Sequence, residues 1–227
     1  MDGVISYLRE KRRLGQAKRT HQPEFVHTAR QFKAERSLLY SIAAYPVNEI
    51  TMPLVYEERY TVEDYQHWKG DWELVEGVAY AMTPSPTVSH QRIGAKITQQ
   101  LGERLKVCKQ CEVLYEIDWY ISNDTVVRPD VLVICYEPEE KITKAPELIF
   151  EVISPSTARR DEQLKFELYQ REGVPYYVLV YPEQKTARVY GLADGKYRKI
   201  GDFMNKAMPF TLNGCQFDFD FGEIWGS

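Results

Sequence analysis

The segment "ELIFEVISPST", Glu147 to Thr157, constrains this chain more than any other. It reads as a buried β-strand, yet Glu151 stands in the middle of it. A carboxylate there costs several kcal/mol of desolvation unless a cation or a set of hydrogen bonds answers it. The fold must therefore deliver a partner to Glu151.

A second acidic residue shares the predicament. Asp130 heads the apolar run "DVLVIC" directly after Arg128-Pro129. If both runs are strands of one sheet, side-chain alternation decides the face on which each carboxylate falls. Neighbouring strands can then bring the two within a few ångströms, where like charges repel. A hard divalent ion with oxygen ligands resolves that conflict, and Mg²⁺ takes one or two protein carboxylates with water and phosphate completing its shell. The plainer alternative is an acidic residue at a strand start and a strand glutamate paired with an arginine.

The segment after "SPST" bears on the choice. "ARRDEQLKFELYQREG" reads as a helix ended by Gly173. At about 100° per residue, Leu164, Leu168 and Tyr169 mark an apolar arc. Asp161 and Lys165 fall inside that arc, and Arg171 falls at its edge. Two readings stay open: an i,i+4 ion pair whose stems lie along the helix edge, or an ammonium delivered to the Asp130/Glu151 pair. Ser154 and Ser156 are candidates to cap this helix.

Elsewhere the chain alternates strand-like and helical segments. "TVEDYQHW" carries a capping-box variant, Thr61 and Asp64. "WELVEGVAYAM" reads as two strands around a Glu76-Gly77 turn. "PSPTVSHQRIGAKITQQLGERLKV" is amphipathic, with Ile93, Ile97, Leu101 and Leu105 recurring every four residues. "EVLYEIDWYISNDTVVRPDVLVICY" gives strands with a turn at Asn123-Asp124, and a β-meander follows "VPYYVLVYP". The class is α/β or α+β with a mixed central sheet flanked by helices.

Residues 1–50 carry nine Lys/Arg against five Asp/Glu, whereas residues 51–227 carry twenty against twenty-eight. The division expected is therefore a basic N-terminal extension, 1–51, which is helical or reflects an upstream start before Met52, and a functional domain, 52–227. An acidic body argues against an indiscriminate nucleic-acid coat protein but leaves room for a local basic groove. No apolar run approaches the roughly 20 residues that span a bilayer, and no signal peptide is evident, so a cytoplasmic protein is expected. Of the four cysteines, Cys108 and Cys111 form a C-x-x-C, "CKQC". It follows a helical stretch and lacks a second pair, which points to ordinary reduced thiols rather than a redox or zinc site.

The motifs taken together resemble the PD-(D/E)XK nuclease superfamily: a proline-aspartate, a strand glutamate about twenty residues later, and a nearby lysine. The phrases "WELVEGVAYAMTPSPTVSHQRI", "VRPDVLVIC" and "APELIFEVISPSTARRDEQLKFELYQREGVPYYVLVYP" are similar to one bacterial branch, the Uma-type putative restriction endonuclease family. They cover most of residues 60–192. The resemblance implies a restriction-endonuclease-like core with Asp130 and Glu151 as metal ligands for Mg²⁺ or Mn²⁺. Ile153 stands where the superfamily usually has its lysine, and Lys165 is the residue that fits the migrated position. Glu73 matches a further acidic residue of the site. His90 and Ser154 are expected near the substrate phosphate.

The implied activity is phosphodiester hydrolysis, with DNA as substrate and a homodimer as the expected assembly. Two other classes stay open: a non-catalytic nucleic-acid- or protein-binding module on the same fold, and a different phosphate-handling or redox enzyme, for which "CKQC" alone speaks.

Overall fold

The computed structural model describes residues 58–82 and 85–225. The expected extension 1–51 lies outside the described residues. The first described helix, α1 (Val62–Tyr65), carries the capping box: the Thr61 hydroxyl accepts from the Asp64 amide and the Asp64 carboxylate from the Thr61 amide.

Strands β1 (Trp72–Val75) and β2 (Val78–Ala81) form a hairpin closed by Glu76 and Gly77, with Val75 paired to Val78. Both turn residues have positive φ, 50° and 79°, the conformation that two-residue hairpin turns demand. A Cβ at Gly77 would also meet the Arg59 side chain at 3.1 Å. Gly77→Ala is expected to cost about 1 kcal/mol, read as a lowered urea midpoint with unchanged slope.

Helix α2 (Val88–Arg104) starts at Thr87, whose hydroxyl accepts from the His90 amide at 3.2 Å. It buries Ile93, Ile97 and Leu101, the stripe read from the sequence. A 3₁₀ turn, Leu105–Val107, ends it. Then come β3 (Glu112–Tyr115), β4 (Trp119–Ser122), β5 (Thr125–Val127), β6 (Val131–Ile134) and β7 (Leu148–Val152). After β7 the chain forms a π-helical turn, Arg160–Lys165, continued by α3 (Phe166–Arg171). The remaining strands are β8 (Tyr176–Tyr181), β9 (Thr186–Ala193), β10 (Lys196–Phe203), β11 (Ala207–Leu212) and β12 (Cys215–Asp220).

The central sheet has the order β10-β9-β8-β7-β6-β3. It is mixed, because β7 runs parallel to β8 while the other pairs are antiparallel. A parallel neighbour needs a crossover, and the segment containing α3 supplies it. A second sheet, β2-β1-β5-β4, and the β11-β12 hairpin complete the described elements.

Alternation sorts the central strands onto two cores. Leu148, Phe150 and Val152 of β7 join Val131 and Val133 of β6 against α2 and the β11-β12 hairpin. Ile149 of β7 joins Leu132 and Ile134 against Leu168 and Tyr169 of α3 and against Trp119. Glu151 shares the parity of Ile149, so it faces the helix that follows it.

Two expectations are corrected. The segment "ARRDEQLKFELYQREG" is not one regular α-helix: its first turn is π-helical, a wider turn often found at functional sites. That turn has no side-chain cap. The Ser154 hydroxyl bonds instead to the hydroxyls of Ser156 and Thr157, at 3.0 and 3.1 Å. The cysteines are not free thiols either: Cys108 is bonded to Cys215 and Cys111 to Cys135. Spacing showed only "CKQC", whereas the partners arrive from the end of β6 and the start of β12.

Candidate active site

The β6-β7 register pairs Val131 with Phe150, which sets Asp130 opposite Glu151 on the face of Leu132 and Ile149. Each carboxylate is held by the other's strand. The Asp130 Oδ2 accepts from the Val152 amide at 2.6 Å, and the Glu151 Oε2 from the Asp130 amide at 3.4 Å. These bonds fix both side chains before any ligand arrives.

Glu151, 3% exposed, receives two further donors on Oε1: the Lys165 ammonium and the Tyr169 hydroxyl, both at 2.9 Å. Lys165 and Tyr169 are four residues apart, one above the other on the face turned to the sheet. The Lys165 Nζ also lies 2.7 Å from Glu73 Oε1 and 3.5 Å from Asp161 Oδ1. Three buried carboxylates thus converge on one buried ammonium. Burial alone would lower the Lys165 proton affinity, but Glu151, Glu73 and Asp161 outweigh it and hold the side chain well above the ordinary lysine value.

Glu73 comes from the second sheet and is fully buried on β1. Its Oε1 also accepts from the Arg128 amide at 3.0 Å. The Arg160 Nε approaches Oε2 at 3.3 Å without hydrogen-bond alignment. The π-helical turn thereby directs Arg160, Asp161 and Lys165 inward together, with Asp161 and Lys165 each 3% exposed. His90, set by the Thr87 cap, places Nε2 3.2 Å from Asp130 Oδ2, while its Nδ1 is buried with no hydrogen-bond partner. Burial lowers the His90 proton affinity, but the hydrogen bond and charge of Asp130, with Glu116 and Asp161 behind it, raise it overall.

The negative charge of this cluster exceeds what Lys165 balances. Burial first, then Asp161, Asp130 and Glu73, push the Glu151 carboxyl well above the ordinary glutamate range despite the opposing ammonium. Asp161 is raised for the same first reason, burial, again against Lys165. A divalent cation would relieve this imbalance of charge, and Asp130 and Glu151 are the hard oxygen donors such an ion prefers. Among the described residues no group of three or more His, Cys, Asp or Glu side chains forms a ready metal cage. Two carboxylates suffice for Mg²⁺, which keeps several waters, so the residues fit the ion.

Of the residues anticipated from the sequence, Asp130, Glu151, Lys165 and Glu73 come together, and His90 joins them through Asp130. Ser154 does not. Its hydroxyl stays in the "SPST" turn, beside a separate groove with Ile153, Tyr181 and Pro182. Sequence reasoning missed the Tyr169 hydroxyl, counted there only as apolar surface, and Arg160. For Tyr169 the signal was available as spacing, since a residue four positions from Lys165 shares its side of an α-helix; Arg160, five positions away, is brought inward only by the π-helical turn. Tyr169→Phe removes one donor to a buried carboxylate and is expected to cost about 1–2 kcal/mol in urea unfolding.

A mixed central sheet, with carboxylates at the head of β6 and on β7 and a lysine reaching the latter from the π-helical turn, defines an α+β fold. The crystal structure of a putative nuclease belonging to DUF820 from Anabaena variabilis ATCC 29413 superposes with a TM-score of 0.61 at 15% identity, over 73% of this chain and 97% of that one. The chain belongs to the Uma2 family, described as a putative restriction endonuclease, whose model matches residues 62–211. No curated protein matches the chain. Among the described residues no helix is long and apolar enough to cross a membrane.

Proposed function

We propose that this protein is a metal-dependent endonuclease hydrolysing phosphodiester bonds of DNA, with Asp130 and Glu151 holding Mg²⁺ or Mn²⁺. The observation that carries the reading is Lys165, buried and 2.9 Å from Glu151 although Ile153 occupies the usual lysine position. The bound ion supplies Lewis-acid polarisation of the scissile phosphate and a water of lowered pKa.

The chain's own residues do the rest. Asp130 and Glu151 present their carboxylates from paired strands, each fixed by a backbone N–H. Lys165 keeps its proton and so acts as a point charge, orienting the attacking water and offsetting charge that develops on the phosphate. Glu73 and Asp161 are positioning residues that hold the ammonium in place from the second sheet and from the π-helical turn. His90 sits on Asp130 with its ring within reach of a phosphate oxygen.

Beside the cluster a groove of about 700 Å³ is lined by Tyr80, Ser156, Arg159, Arg160, Gln163 and Glu167. Arg159 is exposed there, while Arg160 bridges the groove to Glu73. Two arginines on one wall suit a phosphate backbone, and this local groove answers the acidic balance of the body. A homodimer would present two such sites to the two strands of a DNA substrate, in a protein that acts in the cytoplasm.

The test is plasmid nicking with Mg²⁺ or Mn²⁺. Wild type is expected to cut, and Asp130→Ala to lose at least about a hundredfold. Cleavage that survives Asp130→Ala would remove Asp130 from the site, whereas no divalent-ion binding by calorimetry would turn the reading toward a non-catalytic nucleic-acid- or protein-binding module.

A further inference from the structure

The four cysteines lie far from this site. Helix α2 separates His90 near its start from Cys108 beyond its end, about 25 Å at 1.5 Å per residue. Their arrangement has no role in the chemistry above.

The fold draws all four cysteines to one core cluster. Within "CKQC" the Cys111 amide donates to the Cys108 carbonyl at 2.8 Å, a tight turn that keeps the two Cα atoms within about 7 Å. Cys108 and Cys215 stand 5.8 Å apart at Cα, and Cys111 and Cys135 3.9 Å apart. The Asn213 side-chain amide donates to the Cys135 carbonyl at 3.3 Å, tying the turn that precedes Cys215 to the end of β6. Cys108, Cys111 and Cys135 belong to the core cluster beneath α2, and Cys215 packs against it. Each bonded pair takes one sulfur from "CKQC" and one from elsewhere.

We propose that Cys108, Cys111, Cys135 and Cys215 are the ligands of one structural zinc ion, and that the two disulfides are the metal-free, oxidised form of the same sulfur cluster. A C-x-x-C turn completed by two further cysteines is a ligand set for tetrahedral zinc, and a closed set of four marks a structural site. Zn–S bonds of about 2.3 Å place tetrahedral sulfurs about 3.8 Å apart. Side-chain rotations that open each pair by less than about 2 Å from the disulfide distance therefore admit the ion. In the bonded state no free cysteine is present among the described residues. The zinc tetrathiolate would carry two negative charges, and the exposed Lys106 and Lys109 flank it in sequence.

The interconversion balances. Two molecules of a dithiol reductant supply four electrons and four protons, cleave both S–S bonds, and leave as two disulfides of their own. Zn²⁺ then replaces the four thiol protons.

The full chain, expressed with zinc and purified in the presence of a dithiol but no chelator, tests this. About one zinc per chain is expected by mass spectrometry of the metals, with four thiols that resist a thiol reagent until a chelator is added. Exchange into Co²⁺ is expected to give the intense visible absorption of a tetrahedral thiolate site. Cys135→Ser is expected to weaken Co²⁺ binding more than about tenfold. Should that variant fail to fold, thiol protection in the wild-type chain decides alone. Four thiols that react at once with no zinc bound would overturn the proposal. So would two disulfides that survive the dithiol.

Discussion

Lys165→Met is expected to unfold the chain more readily by about 3–5 kcal/mol and to abolish metal-dependent cleavage. The stability loss follows from what remains. Glu73, Glu151 and Asp161 would keep their burial and lose the one ammonium within 3.5 Å of all three. Adding Glu73→Gln should recover part of the loss, because one of the stranded charges disappears, and the double-mutant cycle would report that coupling. Restored stability without restored cleavage separates the two roles of the lysine. The pH dependence is set by sign. The folded-state proton affinity of Lys165 is raised above 10.5, since its three carboxylates outweigh the cost of burial. Its contribution is then fully present below 10.5 and is lost only as pH climbs through the raised value. In Lys165→Met the buried Glu151 and Asp161 carboxyls lose the ammonium that opposes their upward shift, so the gap between wild type and variant should widen as pH rises above about 6, as read by urea denaturation at each pH.

Glu151→Gln is expected to separate folding from function in the opposite direction. Glutamine keeps the shape of the side chain and an oxygen for Lys165 and Tyr169. It removes a carboxyl that burial, Asp161, Asp130 and Glu73 all push upward against the pull of Lys165. With chelator present, a carboxyl raised in the folded state contributes stability that is complete below its ordinary value of 4.5 and fades as pH rises through the folded one. The amide does not titrate, so the variant should gain on wild type as pH rises above 4.5. At pH 7 its metal-free stability should match wild type within about 1 kcal/mol or exceed it, while calorimetry shows divalent-ion binding lost and cleavage falls at least about a hundredfold. A variant that binds the ion as wild type does would remove Glu151 from the ligand set. The expected trade is that of an active site, whose repulsion is tolerated for the ligand it awaits.

Much of this cluster was legible in the chain. Period-two alternation puts Asp130 and Glu151 on one face once their runs are recognised as neighbouring strands. The 3.6-residue period turns Asp161 and Lys165 toward the sheet, although the turn that carries them is π-helical and brings Arg160 inward as well. The Thr61-Asp64 box, the α2 stripe and the Glu76-Gly77 turn are local features, and they stand where local rules put them. The Tyr169 hydroxyl was hidden because a tyrosine in an apolar arc reads as core until an acceptor is placed beside it.

The sequence by itself determined that Glu151 needs a partner and that Lys165 faces the right way to be one, because both follow from periodicities of a few residues. Only the tertiary structure decided that Glu73 reaches that same ammonium from another sheet, and that Cys135 and Cys215 meet the two ends of "CKQC". Those meetings join residues 24 to 107 positions apart. No local period encodes such a separation; it is fixed by which strands pair and which faces pack, and therefore by the burial of the whole core at once.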